Sequence, residues 1–254
     1  MATKKKKIDF TQDPPATLAD CPFYGYTLDP EQQAFAEAIY SKDYDIVFCN
    51  SPAGTGKNLV AVGTACIMQG FGMYDEIVYI VSPYAERKQG YLPGDIQAKS
   101  SMYYEPLYQA VVSCNLNPNT VINMDGITGD KTGGYITCIT DTFLRGTTLN
   151  HCIVIIDEAE NYTVPQLKKT LTRIGEDTKV IVIGHTLQCD IDPWQSGFAA
   201  YLDHFREKER CAVCELSTNH RGWISQWADE FVPMTPIYHA GINFLDKTFQ
   251  TIPC

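Results

Sequence analysis

The sequence predicts an α/β fold with a mostly parallel sheet flanked by helices, on three observations. Apolar runs of strand length recur at 45–49, 76–81, 135–139, 152–156 and 179–183. Helix-like stretches alternate with them, the pattern that sets strands in parallel. A glycine-rich turn joins the first run to a helix. The runs at 152–156 and 179–183 are almost continuously apolar, as strands covered on both faces should be.

Taken in order, residues 1–20 read as a disordered tail. They hold the one charge run, Lys4 to Lys7, and Pro14-Pro15 near their end. The lysines are either a solvated tail or an arm that tethers nucleic acid. A helix is expected over 28–39, with Asp29 as N-cap and Pro30 in the first turn. The strand at 45–49 then leads into Ser51-Pro52-Ala53-Gly54-Thr55-Gly56-Lys57-Asn58, followed by a helix-like stretch from Leu59 to Met68. Gly54 and Gly56 let the backbone close around phosphate oxygens with its N–H groups inward. The helix N-terminus adds its positive dipole end, and Lys57 adds a point charge for the β- and γ-phosphates. The pattern G-x-x-x-x-G-K-[ST] is broken at both ends, by Ser51, which lacks a glycine's freedom, and by Asn58. Its middle still predicts a nucleoside triphosphate site.

The segment 82–120 reads as an insertion over the carboxyl ends of the strands, where such sheets bind ligands. The run at 152–156 ends in Asp157-Glu158-Ala159-Glu160. A strand can deliver one acid to Mg²⁺ beside the phosphates, and the next acid can polarise a water for attack on the γ-phosphate. The competing reading is an acidic helix start that favours the dipole. A phosphate loop about 100 residues upstream favours the first. Thr163-x-x-Gln166 and Pro165 start a helix that should run to about Arg173, where Gly175 stops it. The next strand ends in Gly184-His185-Thr186-Leu187-Gln188. Gln188 can sense the γ-phosphate or orient the water, or it can lie in a plain surface turn. Gln32 can read adenine through paired hydrogen bonds, or it can be a solvated helix residue. Residues 211–216 suit a further strand and 223–231 a helix.

A net charge of −10 argues against a broad basic face that coats nucleic acid, though not against a local groove. No apolar run approaches the roughly 18 residues of a membrane span. The N-terminus lacks the apolar core of a secretory signal. The ten scattered cysteines then read as free thiols in a reducing cytoplasm. Cys211 and Cys214 have metal-knuckle spacing but no second pair, which favours strand cysteines over zinc. His185, His220 and His239 form no spaced metal set. Tyr84, Tyr91 and Phe143 can stack bases or simply pack.

These residues together resemble the PhoH-like family of phosphate-starvation-inducible ATPases, related to superfamily 1 helicases. The resemblance spans roughly 28–205. It rests on 52–57, on Gly90-Tyr91-Leu92-Pro93-Gly94-Asp95, on Leu144-Arg145-Gly146-Thr147-Thr148-Leu149-Asn150, on 156–161, on Leu171-Thr172-Arg173-Ile174-Gly175 and on 184–188. It implies a RecA-like P-loop NTPase core over 21–235, with a C-terminal extension over 236–254. It implies ATP and Mg²⁺ as cofactors, hydrolysis, and helicase-like action on single-stranded RNA or DNA. By motif match, Pro52, Ala53, Gly54, Thr55, Gly56 and Lys57 hold phosphates, and Asn58 and Asp157 serve the metal. Glu158 takes the attacking water, Gln188 is the sensor and Gln32 the adenine reader. Arg145 and Arg173 are candidate arginine fingers, in cis or from a neighbouring subunit, or structural ion pairs; Arg221 is a third. A single core without a second motor lobe implies a homo-oligomer, such as a ring. Where the family carries a hydroxyl residue, Asp-Glu-Ala-Gln and a glycine–aspartate turn, this chain has Asn58, Glu160 and Gly184-His185. The alternative is therefore a nucleotide-gated binding module with slow or absent hydrolysis. A small-molecule kinase is a third reading, against which Gln188 and the Asp157-Glu158 pair count.

Overall fold

The computed structural model describes residues 8–19, 21–82, 104–123, 133–144 and 146–230. Seven strands form one sheet: β1 (Ile46–Asn50), β2 (Glu76–Val81), β3 (Ile122–Asn123), β4 (Ile136–Thr140), β5 (Cys152–Ile156), β6 (Lys179–Gly184) and β7 (Cys211–Glu215). Their order is β3-β4-β2-β5-β6-β1-β7, and every pairing is parallel. The expected strands are all present. β3 was not foreseen, because two residues give no periodicity to read.

Alternate side chains of each strand feed two cores. On one face Val47, Cys49, Ile77, Tyr79, Ile153, Ile155, Ile181 and Ile183 meet α1 (Pro30–Tyr40), α2 (Lys57–Gly70) and α3 (Glu105–Ser113). On the other, Phe48, Ile80, Val154, Ile156 and Val182 meet α5 (Val164–Leu171) and α6 (Phe198–Phe205). α4 (Pro118–Val121) and α7 (Trp223–Asp229) complete the α-helices among the described residues. The cap signals act as read: Asp29 accepts from the Gln32 N–H at 2.8 Å, and Gln166 accepts from the Thr163 N–H at 2.9 Å. α5 stops at Leu171, a little short of the expected end.

Two expectations are corrected. Residues 8–19, read as a loose tail, are pinned to the folded body at three points, although most of them are exposed: Leu18 is buried, Phe10 meets Phe71 edge-on, and the Tyr40 hydroxyl donates to the Pro15 carbonyl at 2.7 Å. Within 82–120, the described part does not cover the carboxyl ends of the strands. It forms α3, whose Leu107 and Val111 are buried in the core with α2. The residues 83–103, with Tyr84, Tyr91 and the Gly90–Asp95 motif, lie outside the described residues, as do the lysine run and the 236–254 extension.

No helix among the described residues is long and apolar enough to cross a membrane. Every described cysteine is free. The described residues include no cluster of three His, Cys, Asp or Glu placed to hold a metal.

Candidate nucleotide site

The loop after β1 takes the shape its glycines permit. Gly54 and Gly56 have φ of +85° and +82°, and Gly56 caps α2. Lys57 reaches back over the loop, its Nζ 3.1 Å from the Ser51 carbonyl and 3.4 Å from that of Pro52. Ser51 is not among the residues at positive φ, so the first glycine's freedom is not required. Its hydroxyl has a use of its own. Fully buried, it accepts from the Leu216 N–H at 3.0 Å, while its N–H donates to the Gly184 carbonyl at 2.9 Å. Ser51 thus fastens the loop to the ends of β7 and β6.

Strand order brings the acids to this loop. β6 lies between β1 and β5, so Asp157 and Glu158 end one strand beyond β6 at the same edge. Asp157 is buried, and it accepts from the Asn58 Nδ2 at 2.9 Å, from the Glu158 N–H at 2.8 Å and from the Tyr79 hydroxyl. Burial pushes the Asp157 carboxyl up, and these donors with Lys57 oppose the rise. Burial first, and the Asp157 charge second, keep the Tyr79 phenol protonated, so it stays a donor. The Asn58 Oδ1 is buried with no hydrogen-bond partner among the described residues. An orphan carbonyl oxygen beside a carboxylate suits Mg²⁺, a hard cation that takes few protein oxygens and keeps waters and phosphate oxygens. Asn58 and Asp157 would hold that ion, whose charge would offset that of the phosphates.

Glu158 projects to solvent at the strand end with φ of +48°. A non-glycine residue in the left-handed region is held there against a cost of order 1 kcal/mol or more. Crowding by the surrounding protein, then the Asp157 charge, raises its carboxyl. Glu160 is buried, and its Oε2 accepts from the His185 N–H at 3.1 Å. A Cβ on Gly184 would stand 2.5 Å from that oxygen, so a glycine is needed there. The Thr186 N–H donates to the Asn50 Oδ1 at 3.0 Å, tying the turn after β6 to β1. Gln188 sits exposed in this turn, its N–H 3.2 Å from the His185 carbonyl.

Gln32 and Arg173 are placed differently from expectation. Gln32 is buried, accepting from the Asp29 N–H at 3.2 Å and donating to the Thr55 carbonyl at 2.8 Å. Its amide props the phosphate loop from within. Arg173 follows α5, which returns antiparallel to the strands, and its carbonyl accepts from the Leu149 N–H ahead of β5. That is the amino edge of the sheet, a strand length of about 17–20 Å from the loop. Arg173 therefore cannot act on the site of its own chain. Arg145 lies outside the described residues, as does the Phe143 side chain.

Sequence reasoning missed a strap over 217–221. The Asn219 Nδ2 donates to the Ala53 carbonyl at 3.2 Å, and the His220 N–H donates to the Gly54 carbonyl at 2.8 Å. Glu31 accepts from the Ser217 N–H at 2.6 Å, and the His220 Nε2 lies 2.9 Å from the Asp29 carboxylate. These contacts join residues far apart in sequence, and no local pattern announces them. Tyr79 was missed likewise, though a lone phenol in an otherwise apolar strand was a readable hint.

A lysine-bearing phosphate loop at the carboxyl edge of a parallel sheet, with an acidic strand end two places away, defines a RecA-like P-loop NTPase core. The chain belongs to the PhoH-like protein family, whose profile matches residues 26–226. It is 34% identical over 189 residues to a PhoH-like protein of Synechocystis, covering 73% of this chain and 55% of that one. It is 31% identical over 194 residues to the protein PhoH of Escherichia coli, covering 72% and 50%. The chain thus spans about half the length of these relatives. Among solved structures it is similar to the large terminase of a thermophilic bacteriophage, at 13% identity and a TM-score of 0.49, covering 78% of this chain and 48% of that one.

Proposed function

We propose that this chain binds ATP and hydrolyses it with Mg²⁺, acting on single-stranded RNA or DNA. The convergence of Lys57, the Asn58–Asp157 pair and Glu158 on one strand edge carries this reading. Lys57 neutralises charge developing on the transferred phosphoryl group. Glu158 orients a water and takes its proton, a role that its raised carboxyl suits. Gln188, on the turn between the loop and the acids, helps to hold that water. Single strands are the proposed polymer from family membership, and the exposed Trp194 and Trp223 offer stacking faces. In an oligomer, Arg173 at the amino edge would serve a neighbour's site.

One observation favours a second reading, a nucleotide-gated module with slow turnover. Asn58 points its amide nitrogen at Asp157 and so competes with a cation for that carboxylate.

The test is steady-state ATP hydrolysis with Mg²⁺, with and without single-stranded RNA and DNA. Turnover that rises with single strands and disappears in Lys57→Ala and Glu158→Gln supports the motor. A flat trace that Asn58→Thr restores selects the gated module. No ATP binding by the natural protein would refute both.

A further inference from the structure

Arg221, the third arginine-finger candidate from the family resemblance, ends the strap. We propose that it is a nucleotide-binding residue that contacts the phosphates from outside the loop, an inference that rests on the ATP-binding reading.

Placement is the first argument. The strap is anchored to the loop backbone at Ala53 and Gly54 and to the start of α1 at Asp29 and Glu31. The Asn219 Oδ1 accepts from the Arg221 N–H at 2.8 Å, while the Asn219 Nδ2 donates to the Ser225 hydroxyl at 3.1 Å. The Arg221 backbone is therefore held by Asn219, which is itself tied to Ser225. The Arg221 Cγ lies 3.1 Å from where a side chain on Gly54 would begin, so its stem runs along the phosphate loop.

Charge is the second argument. Two carboxylates that contact the strap, Asp29 and Glu31, are engaged by His220 and by Ser217. Among the described residues, no carboxylate forms an ion pair with Arg221. A guanidinium is charged at any working pH, and its forked donors match phosphate oxygens. Arg221 is exposed and so open to a ligand, while its anchored backbone and the contact at Gly54 fix where the stem begins.

The experiment measures binding of ATP, inorganic tripolyphosphate and adenosine to the natural protein, Arg221→Ala, Arg221→Lys and Lys57→Ala. Expected in Arg221→Ala is a loss of about tenfold or more for both ATP and tripolyphosphate, the worth of one charge-assisted hydrogen bond. Adenosine binding should not change, and Arg221→Lys should recover part of the loss. Unchanged ATP affinity would overturn the proposal. So would a loss for ATP with none for tripolyphosphate, which would place Arg221 on the nucleoside. Thermal melting of both Arg221 variants separates a folding defect from lost contact, and the lysine variant carries the test if the alanine variant unfolds. ATP binding in the natural protein, abolished in Lys57→Ala, tests the underlying reading separately.

Discussion

Replacing Glu160 with glutamine should stabilise this protein, and only above mildly acidic pH. Glu160 is buried behind Gly184, and burial pushes its carboxyl up from 4.5 to about 7. At 1.36 kcal/mol per pH unit, ionising it in the folded state costs about 3 kcal/mol. The sign follows from linkage. The folded carboxyl binds its proton more tightly than the unfolded one, so the folded state holds more protons between pH 4.5 and about 7. Stability conferred by this group is intact below 4.5, falls as pH rises through that window, and is lost above it. Glutamine keeps an acceptor for the His185 N–H and cannot ionise, but its amide donors need partners, which lowers the expected gain to about 1–2 kcal/mol. For a chain of this size that is about 2–8 °C in Tm. The assay is denaturant unfolding of both proteins from pH 5 to 8 at constant ionic strength. Subtracting the curves removes titrations common to both. An advantage as large at pH 5 as at pH 8 would refute the reasoning.

Three further outcomes follow from the site. Gly56→Ala should abolish ATP binding and cost about 1–2 kcal/mol in a melt, since φ is +82° and the new Cβ would stand 2.8 Å from the Gln32 amide. Gln32→Ala should destabilise by about 1–2 kcal/mol through the lost cap and loop contact, and weaken ATP and GTP equally; an altered ATP-to-GTP ratio would instead mark Gln32 as an adenine reader. Tyr79→Phe removes a donor that holds the Asp157 carboxyl down, so the acid limb of Mg²⁺-dependent ATP binding should move to higher pH; a limb that stays in place would count against Asp157 as a metal residue.

Much of the fold was legible because its signals are local. β5 and β6 announce themselves as continuous apolar runs, since helices cover both faces of the sheet. α1 and α5 announce themselves by their caps. The phosphate loop and the acidic strand end were legible because a turn and a strand end are each encoded in consecutive residues. β3, the pinned residues 8–19 and the strap were not. Each depends on a surface from elsewhere in the chain: β4 for Ile122, α2 and its end for Phe10, the phosphate loop for Asn219.

By itself the sequence determined the element types, the loop that can close on phosphates and the acids that accompany it, because glycine freedom, capping and apolar periodicity act over a few residues. Tertiary structure decided which of those residues share a site. Strand order set β6 between the loop and the acids, while the packing of helices and strap on the sheet turned Gln32 inward as a prop, left Arg173 at the far edge and brought Arg221 against Gly54. The reason is physical: a side chain's reach is a few ångströms, and only packing of the whole chain determines what lies within it.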